Sequence, residues 1–254
     1  MLRILYSDIR KTILSQAFQG CMVANASYQL LTVIVMKVIT EVFFHMNMAA
    51  DDVAFCFATI AIFLVTASTL ITVSEFADGT MRNKLISGAK RSEVFFSGLF
   101  TGMLQGFLLA ASAFLLSTVC SLLLTTGFEG FTVSEMADFW IVITISCMAI
   151  GAFSTALIFC FGGAKISYVI GLAIAFGMKV FSMYLQDQLY PESGKCLLKG
   201  AKLVSFRFID RFVPYSYLSM RPHWDFGSYF AGTIGLVAIS AVIGAAVFQR
   251  KELL

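Results

Sequence analysis

Long uncharged runs alternate with short charged segments along this chain. Thr12 to Met36 carries no charge over 25 residues, Val53 to Ser74 none over 22, and Val94 to Phe128 none over 35. Phe139 to Ala164 adds 26, Ile166 to Gln186 adds 21 broken only by Lys179, and Phe226 to Gln249 adds 24. About 20 apolar residues cross a bilayer core as a helix. Lipid offers the backbone no hydrogen bonds, so only helices and closed barrels span it, and these runs lack the strict alternation of barrel strands. The pattern predicts an all-α polytopic membrane protein with six transmembrane helices. No linker, low-complexity tract or internal repeat divides it, which predicts one transmembrane domain over residues 1–254.

The first residues follow a different pattern. Leu2, Leu5, Tyr6, Ile9 and Ile13 fall on one helical face, and Arg3, Ser7, Arg10 and Lys11 on the other. That predicts an amphipathic helix over 1–14, lying in the membrane interface with its basic side toward anionic headgroups. A frayed extension of the first span is the alternative. No short apolar core with a small-residue cleavage site follows, which argues against a secretory signal.

Charge sets the expected orientation, because Lys and Arg collect on the inner side. With the N-terminus inside, the inner segments hold ten basic residues: Arg3, Arg10, Lys11, Arg82, Lys84, Lys90, Arg91, Lys165, Arg250 and Lys251. The segments His45–Asp52 and Glu129–Asp138 hold none. The loop 187–225 runs against the rule, with Lys195, Lys199, Lys202, Arg207, Arg211 and Arg221 on the outer side. A loop of this length is expected to carry structure of its own. Within it, Leu203 to Phe212 mixes arginine with aromatic residues and predicts a short helix on the outer membrane surface, ended by Pro214.

Composition agrees with the pattern. The chain is 59% hydrophobic and 13% charged, whereas soluble domains are nearer half and a quarter. Cys21, Cys56, Cys120, Cys147 and Cys160 lie in apolar spans and behave as small hydrophobes. Cys196 sits alone in a polar loop, which argues against a structural bridge. The two histidines, His45 and His223, lie in different loops and cannot build a multi-His metal site. The phosphate-binding G-x-x-x-x-G-K-[ST], the metalloprotease H-E-x-x-H and the G-x-S-x-G elbow are all missing.

One charged segment is more than a connection. Residues 75–96 read EFADGTMRNKLISGAKRSEVFF. Asp78-Gly79-Thr80 signals a turn followed by a helix cap, since Asp and Thr accept from free N–H groups. Met81 to Ser87 then makes about two helical turns from its spacing. Gly88 is a natural stop because it tolerates positive φ, and Ser92 reads as the next cap. A short separate helix is therefore expected over 79–88. Met81 and Leu85 share a face with Ile86 beside them, and Arg82, Asn83, Lys84, Lys90 and Arg91 supply donors. An apolar tip ringed by donors suits a groove on a partner protein. An ordinary basic inner loop fits the same residues.

This string resembles the loop between the second and third spans of ABC-2 type permeases, the membrane subunits of many bacterial ABC exporters. The family pattern falls on Glu75, Gly79, Thr80, Arg82, Asn83, Lys84, Gly88 and Arg91. Six spans, an amphipathic N-terminal helix and the ending Phe248-Gln249-Arg250-Lys251-Glu252-Leu253 are also similar to the family. The resemblance implies a coupling helix, including Asp78, Met81 and Leu85, seated in a cytoplasmic ABC ATPase subunit. ATP and Mg would be bound by that partner, so no hydrolysis is expected from this chain. A second permease copy, a bacterial cytoplasmic membrane, cytoplasmic termini and outward transport are implied with it.

Polar residues inside spans are candidates for function. Asn25 and Gln29 lie four apart on one face of the first span with Tyr28 beside them, and Lys179 lies in the fifth. These four are candidate substrate-path residues; interhelical hydrogen bonding and snorkelling are the alternatives. Lys37 and Glu41 are spaced for a helical ion pair. Gln105 reads as a structural hydrogen-bonder, and Gly98, Gly102 and Gly106 as a close-packing seam within the subunit. The 26 phenylalanines and 12 methionines suit an amphipathic peptide, drug or lipid-like cargo. A secondary carrier or a membrane accessory protein is the rival expectation, although no carboxylate lies deep in a span to couple protons.

Overall fold

The uncharged runs fold as helices because an unsatisfied amide is costly in hydrocarbon. The computed structural model describes residues 2–127, 130, 132–191, 196, 198–217 and 226–250. Phe128, Glu129, Lys195, Arg221, His223 and the tail Lys251 to Leu253 lie outside these, as does the side chain of Cys56. The chain is an all-α polytopic membrane protein, 87% helical. Among the described residues six helical segments are long and apolar enough to cross a membrane: Gln16–Phe43, Ile60–Ala77, Arg91–Leu124, Val133–Phe161, Lys165–Leu189 and Phe226–Arg250.

In chain order the helices are α1 Leu2–Leu14, α2 Gln16–Val38, α3 Ala50–Ser68, α4 Leu70–Ala77 and α5 Thr80–Ile86. Then come α6 Arg91–Leu124, α7 Val133–Phe161, α8 Lys165–Leu189, α9 Gly200–Phe212 and α10 Phe226–Arg250. A π-helical turn, Ile39–Phe43, extends α2. There the expected ion pair forms, with Lys37 Nζ 3.3 Å from Glu41. α1, α5 and the end of α10 share one end of the bundle; α9 lies at the other.

α7 is the central helix, packed against α3, α6, α8 and α10. Its closest approach is to α6, and glycine permits it. A Cβ on Gly102 would fall against Thr155 Oγ1 and the Gly151 carbonyl, and one on Gly106 against the Cys147 backbone. Gly98 meets the Phe159 ring. The glycine row is thus a packing seam inside the subunit, as its spacing predicts. Hydroxyls are buried beside the apolar core: Ser117, Ser146, Ser154 and Thr155.

The second span departs from its expected continuity. It breaks at Thr69, which ends α3 and starts α4. Thr66, Ser68 and Thr69 each turn a hydroxyl onto a carbonyl of the preceding turn, at 2.8, 2.8 and 2.6 Å. Such back-bonding competes with the helical ladder and bends it. The break is buried inside the bundle, where Ser68 Oγ also donates to Gln105 Oε1 at 3.3 Å. Irregular backbone at membrane depth survives only in such protected places.

Candidate functional site

α5 is a separate helix between two left-handed glycines. Gly79 has φ 68° and Gly88 has φ 94°, a conformation that β-carbon-bearing residues avoid. At the second, the amide of Gly88 donates to the Leu85 carbonyl at 3.1 Å and that of Ala89 to Lys84 at 3.2 Å. Those two bonds satisfy the open carbonyls of the last turn. The expected cap chemistry is otherwise corrected. Gly79 itself is the cap and Thr80 the first helical residue, without a side-chain cap bond. Ser92 is inside α6, which starts at Arg91.

The residues around α5 divide into an inward and an outward set. Met81, expected at an apolar tip, is only 2% exposed. It packs with Phe95, Phe159 and Phe248, and Leu85 leans on the same cluster. Ile86 takes the tip position instead, at 73% exposed. Arg82, Asn83, Asp78 and Lys90 are exposed beside it. The register explains the exchange: α5 lies on the bundle, so one face of a two-turn helix must supply core.

Two of the expected donors also point inward. Lys84 Nζ lies 2.6 Å from an Asp8 oxygen and 3.1 Å from a Glu75 oxygen. The other Glu75 oxygen meets Lys11 Nζ at 3.1 Å. Ser97 Oγ donates to the second Asp8 oxygen at 2.6 Å. Two carboxylates and two ammonium groups thus balance each other, and a buried carboxylate is tolerated only when so paired. This cluster ties α1, α4, α5 and α6 at one point. Arg91 turns away too: its guanidinium donates to the carbonyls of Phe248 and Gln249 at 3.4 and 3.1 Å. It closes the C-terminal end of α10, where a cation is favoured.

No sequence signal singles out Asp8. It stands among the polar residues of α1, yet Asp8 and Thr12 are the buried ones. Leu2, Tyr6 and Ile13 are exposed. Arg3 and Arg10 are exposed as well and Leu5 and Ile9 are half-buried, so Asp8 turns to the protein because that is where its charge can be paired.

Of the first-span candidates, Asn25 and Gln29 are buried and hydrogen-bonded. Asn25 Nδ2 donates to Ser112 Oγ at 3.1 Å and to the Leu109 carbonyl at 3.4 Å, both on α6. Gln29 Nε2 donates to Asn25 Oδ1 at 3.3 Å, and Ser117 Oγ donates to Gln29 Oε1 at 3.5 Å. Both amides serve to join α2 to α6. Tyr28 is half-buried, and so is Lys179 on α8. A cavity lies elsewhere, between α6 and α7 toward the α9 end. It measures about 500 Å³ and is lined by Phe114, Ser117, Ser121, Met136 and Trp140.

No known family matches the chain, and no curated protein is recognisably similar to it. Its function must be argued from the α5 surface and the bundle that holds it.

Proposed function

We propose that this chain is the membrane permease subunit of an ATP-driven ABC exporter, with α5 as the helix that receives force from a separate ATPase. One observation carries the reading. α5 is a surface helix whose inner face is locked to the bundle through Met81 and Lys84, while Arg82, Asn83, Ile86 and Lys90 remain outward. A helix that only connected two spans would have no use for a four-charge anchor of which only Lys11 is substantially exposed. A helix that transmits a push needs one, because alternating access is largely rigid-body motion of packed helices.

The remaining features follow from this reading. The α5 end faces the cytoplasm of a bacterial cell, in agreement with its basic residues, and both termini lie there. The partner binds ATP and Mg. A second permease copy completes the path, which requires Tyr28 and Lys179 to work in a dimer rather than inside one bundle. The cargo is an amphipathic peptide, drug or lipid-like molecule, in keeping with the aromatic and hydroxyl lining of the α6–α7 cavity.

The test is to purify the chain from its native host in mild detergent and assay for a soluble ATPase that accompanies it. The reading expects one, and expects Arg82→Glu with Lys90→Glu to release it while membrane insertion stays normal. Recovery without any ATPase, together with solute transport in ATP-depleted vesicles, would leave a secondary carrier instead.

A further inference from the structure

The basic residues of segment 187–225 remain unexplained by the exporter reading. Four of them belong to α9 or its first cap: Lys199, Lys202, Arg207 and Arg211, all exposed. Among the described residues none of the four takes part in an ion pair. Lys202 sits over the Phe206 ring at 5.4 Å, which leaves Arg207 and Arg211 as the free pair of guanidinium groups.

The rest of α9 fixes where those groups point. Phe206 packs on Phe181 and Tyr184, in the last turns of α8, with ring centroids 5.9 and 6.1 Å away. Asp210 is buried and accepts from Tyr190 Oη at 3.2 Å. Behind it the chain enters the bundle, where Pro214, Tyr215 and Ser216 are buried. The opposite face is therefore the free one. It carries Val204 and Phe208, 69% and 59% exposed, and Arg207 and Arg211 flank that pair four residues apart on one side. An apolar stripe bordered by cations, level with the end of a transmembrane helix, has the makeup of a helix seated at the boundary between headgroups and acyl chains.

We infer that α9 binds anionic phospholipid headgroups of the adjacent leaflet, with Arg207 and Arg211 on the phosphates and Val204 and Phe208 against the acyl chains. Charge complementarity selects the occupant. An uncompensated guanidinium pair draws anions, and the guanidinium fork matches phosphate oxygens. The apolar stripe beside the cations excludes a purely soluble anion, which would leave it in water. The basic residues that offend the charge rule for outer loops thus have a use that does not depend on the direction of insertion.

The experiment places the full chain in nanodiscs of equal parts phosphatidylcholine and phosphatidylglycerol. A photoreactive phenylalanine replaces Ala201, which is exposed on the same face three residues before Val204. Irradiation and mass spectrometry then count the lipid adducts at that site. Phosphatidylglycerol adducts are expected to exceed phosphatidylcholine adducts. Arg207→Gln with Arg211→Gln should lower that preference by about fivefold per arginine, and Arg207→Lys with Arg211→Lys should keep most of it. Val204→Ser with Phe208→Ser should reduce total lipid adducts while retaining the preference. Equal adducts in the unsubstituted chain, or a preference unchanged in the double glutamine variant, would overturn the inference. So would adducts to a second copy of the chain, or full competition by the headgroup alone, glycerophosphoglycerol.

Discussion

At the scale of single residues the molecule turns on Lys84. Its ammonium is shared between Asp8 and Glu75 at 2.6 and 3.1 Å, inside a site that water barely reaches. Removing one member of such a cluster leaves an uncompensated buried charge, a loss of about 3 kcal/mol or more. Lys84→Met is therefore expected to lower the melting temperature of the detergent-purified chain clearly, by scanning fluorimetry. Arg82→Gln, two residues earlier on the opposite, exposed face of α5, should stay within about 0.5 kcal/mol of the parent. Equal stability of the two variants would show that the cluster holds nothing. Periodicity placed both residues on a basic helix and could not tell them apart, because it records spacing and not which face meets the bundle. Asp8 was illegible for a related reason. A lone acid among basic residues reads as surface until its partners Lys84 and Ser97 are brought to it by the fold.

At the scale of elements the spans were legible and their joints were not. Uncharged runs fixed all six membrane helices, since hydrocarbon forbids both charge and open backbone. The break at Thr69 was hidden inside a run that looks continuous, because it comes from hydroxyls bonding locally rather than from Gly or Pro. The α6–α7 seam was legible from glycine spacing, and it gives a direct prediction. Gly102→Ala and Gly106→Ala each push a methyl group into backbone of α7, and overpacking of this kind costs about 1–3 kcal/mol. Gly20→Ala meets nothing within 4 Å and should be neutral by the same melting assay. A seam that tolerates the first two as well as the third would mean that α6 and α7 are not so close in the membrane. The loop helix α9 is legible from Leu203 to its stop before Pro214, while its first turn, from Gly200, is not.

At the scale of the whole molecule, the bundle divides by what its two ends hold. One end gathers α1, α5 and the end of α10 around the four-charge cluster and the Phe76, Phe95, Phe159 and Phe248 rings. The other end carries α9 and the cavity between α6 and α7. A push on α5 reaches α1 through Asp8 and α4 through Glu75, and α4 joins α3 at the bent Thr69 joint. The proposed stroke therefore moves α1, α4 and α5 together with the end of α6 that Ser97 and Phe95 tie to them. No step of this depends on knowing the cargo, so the docking surface can be tested alone. The decisive measurement puts a photoreactive phenylalanine at Ile86 and irradiates intact cells of the native host. The account predicts an adduct to a soluble ATP-hydrolysing protein, lost when Arg82 and Lys90 are both changed to Glu. Adducts to lipid only, or an adduct indifferent to those two charges, would contradict it.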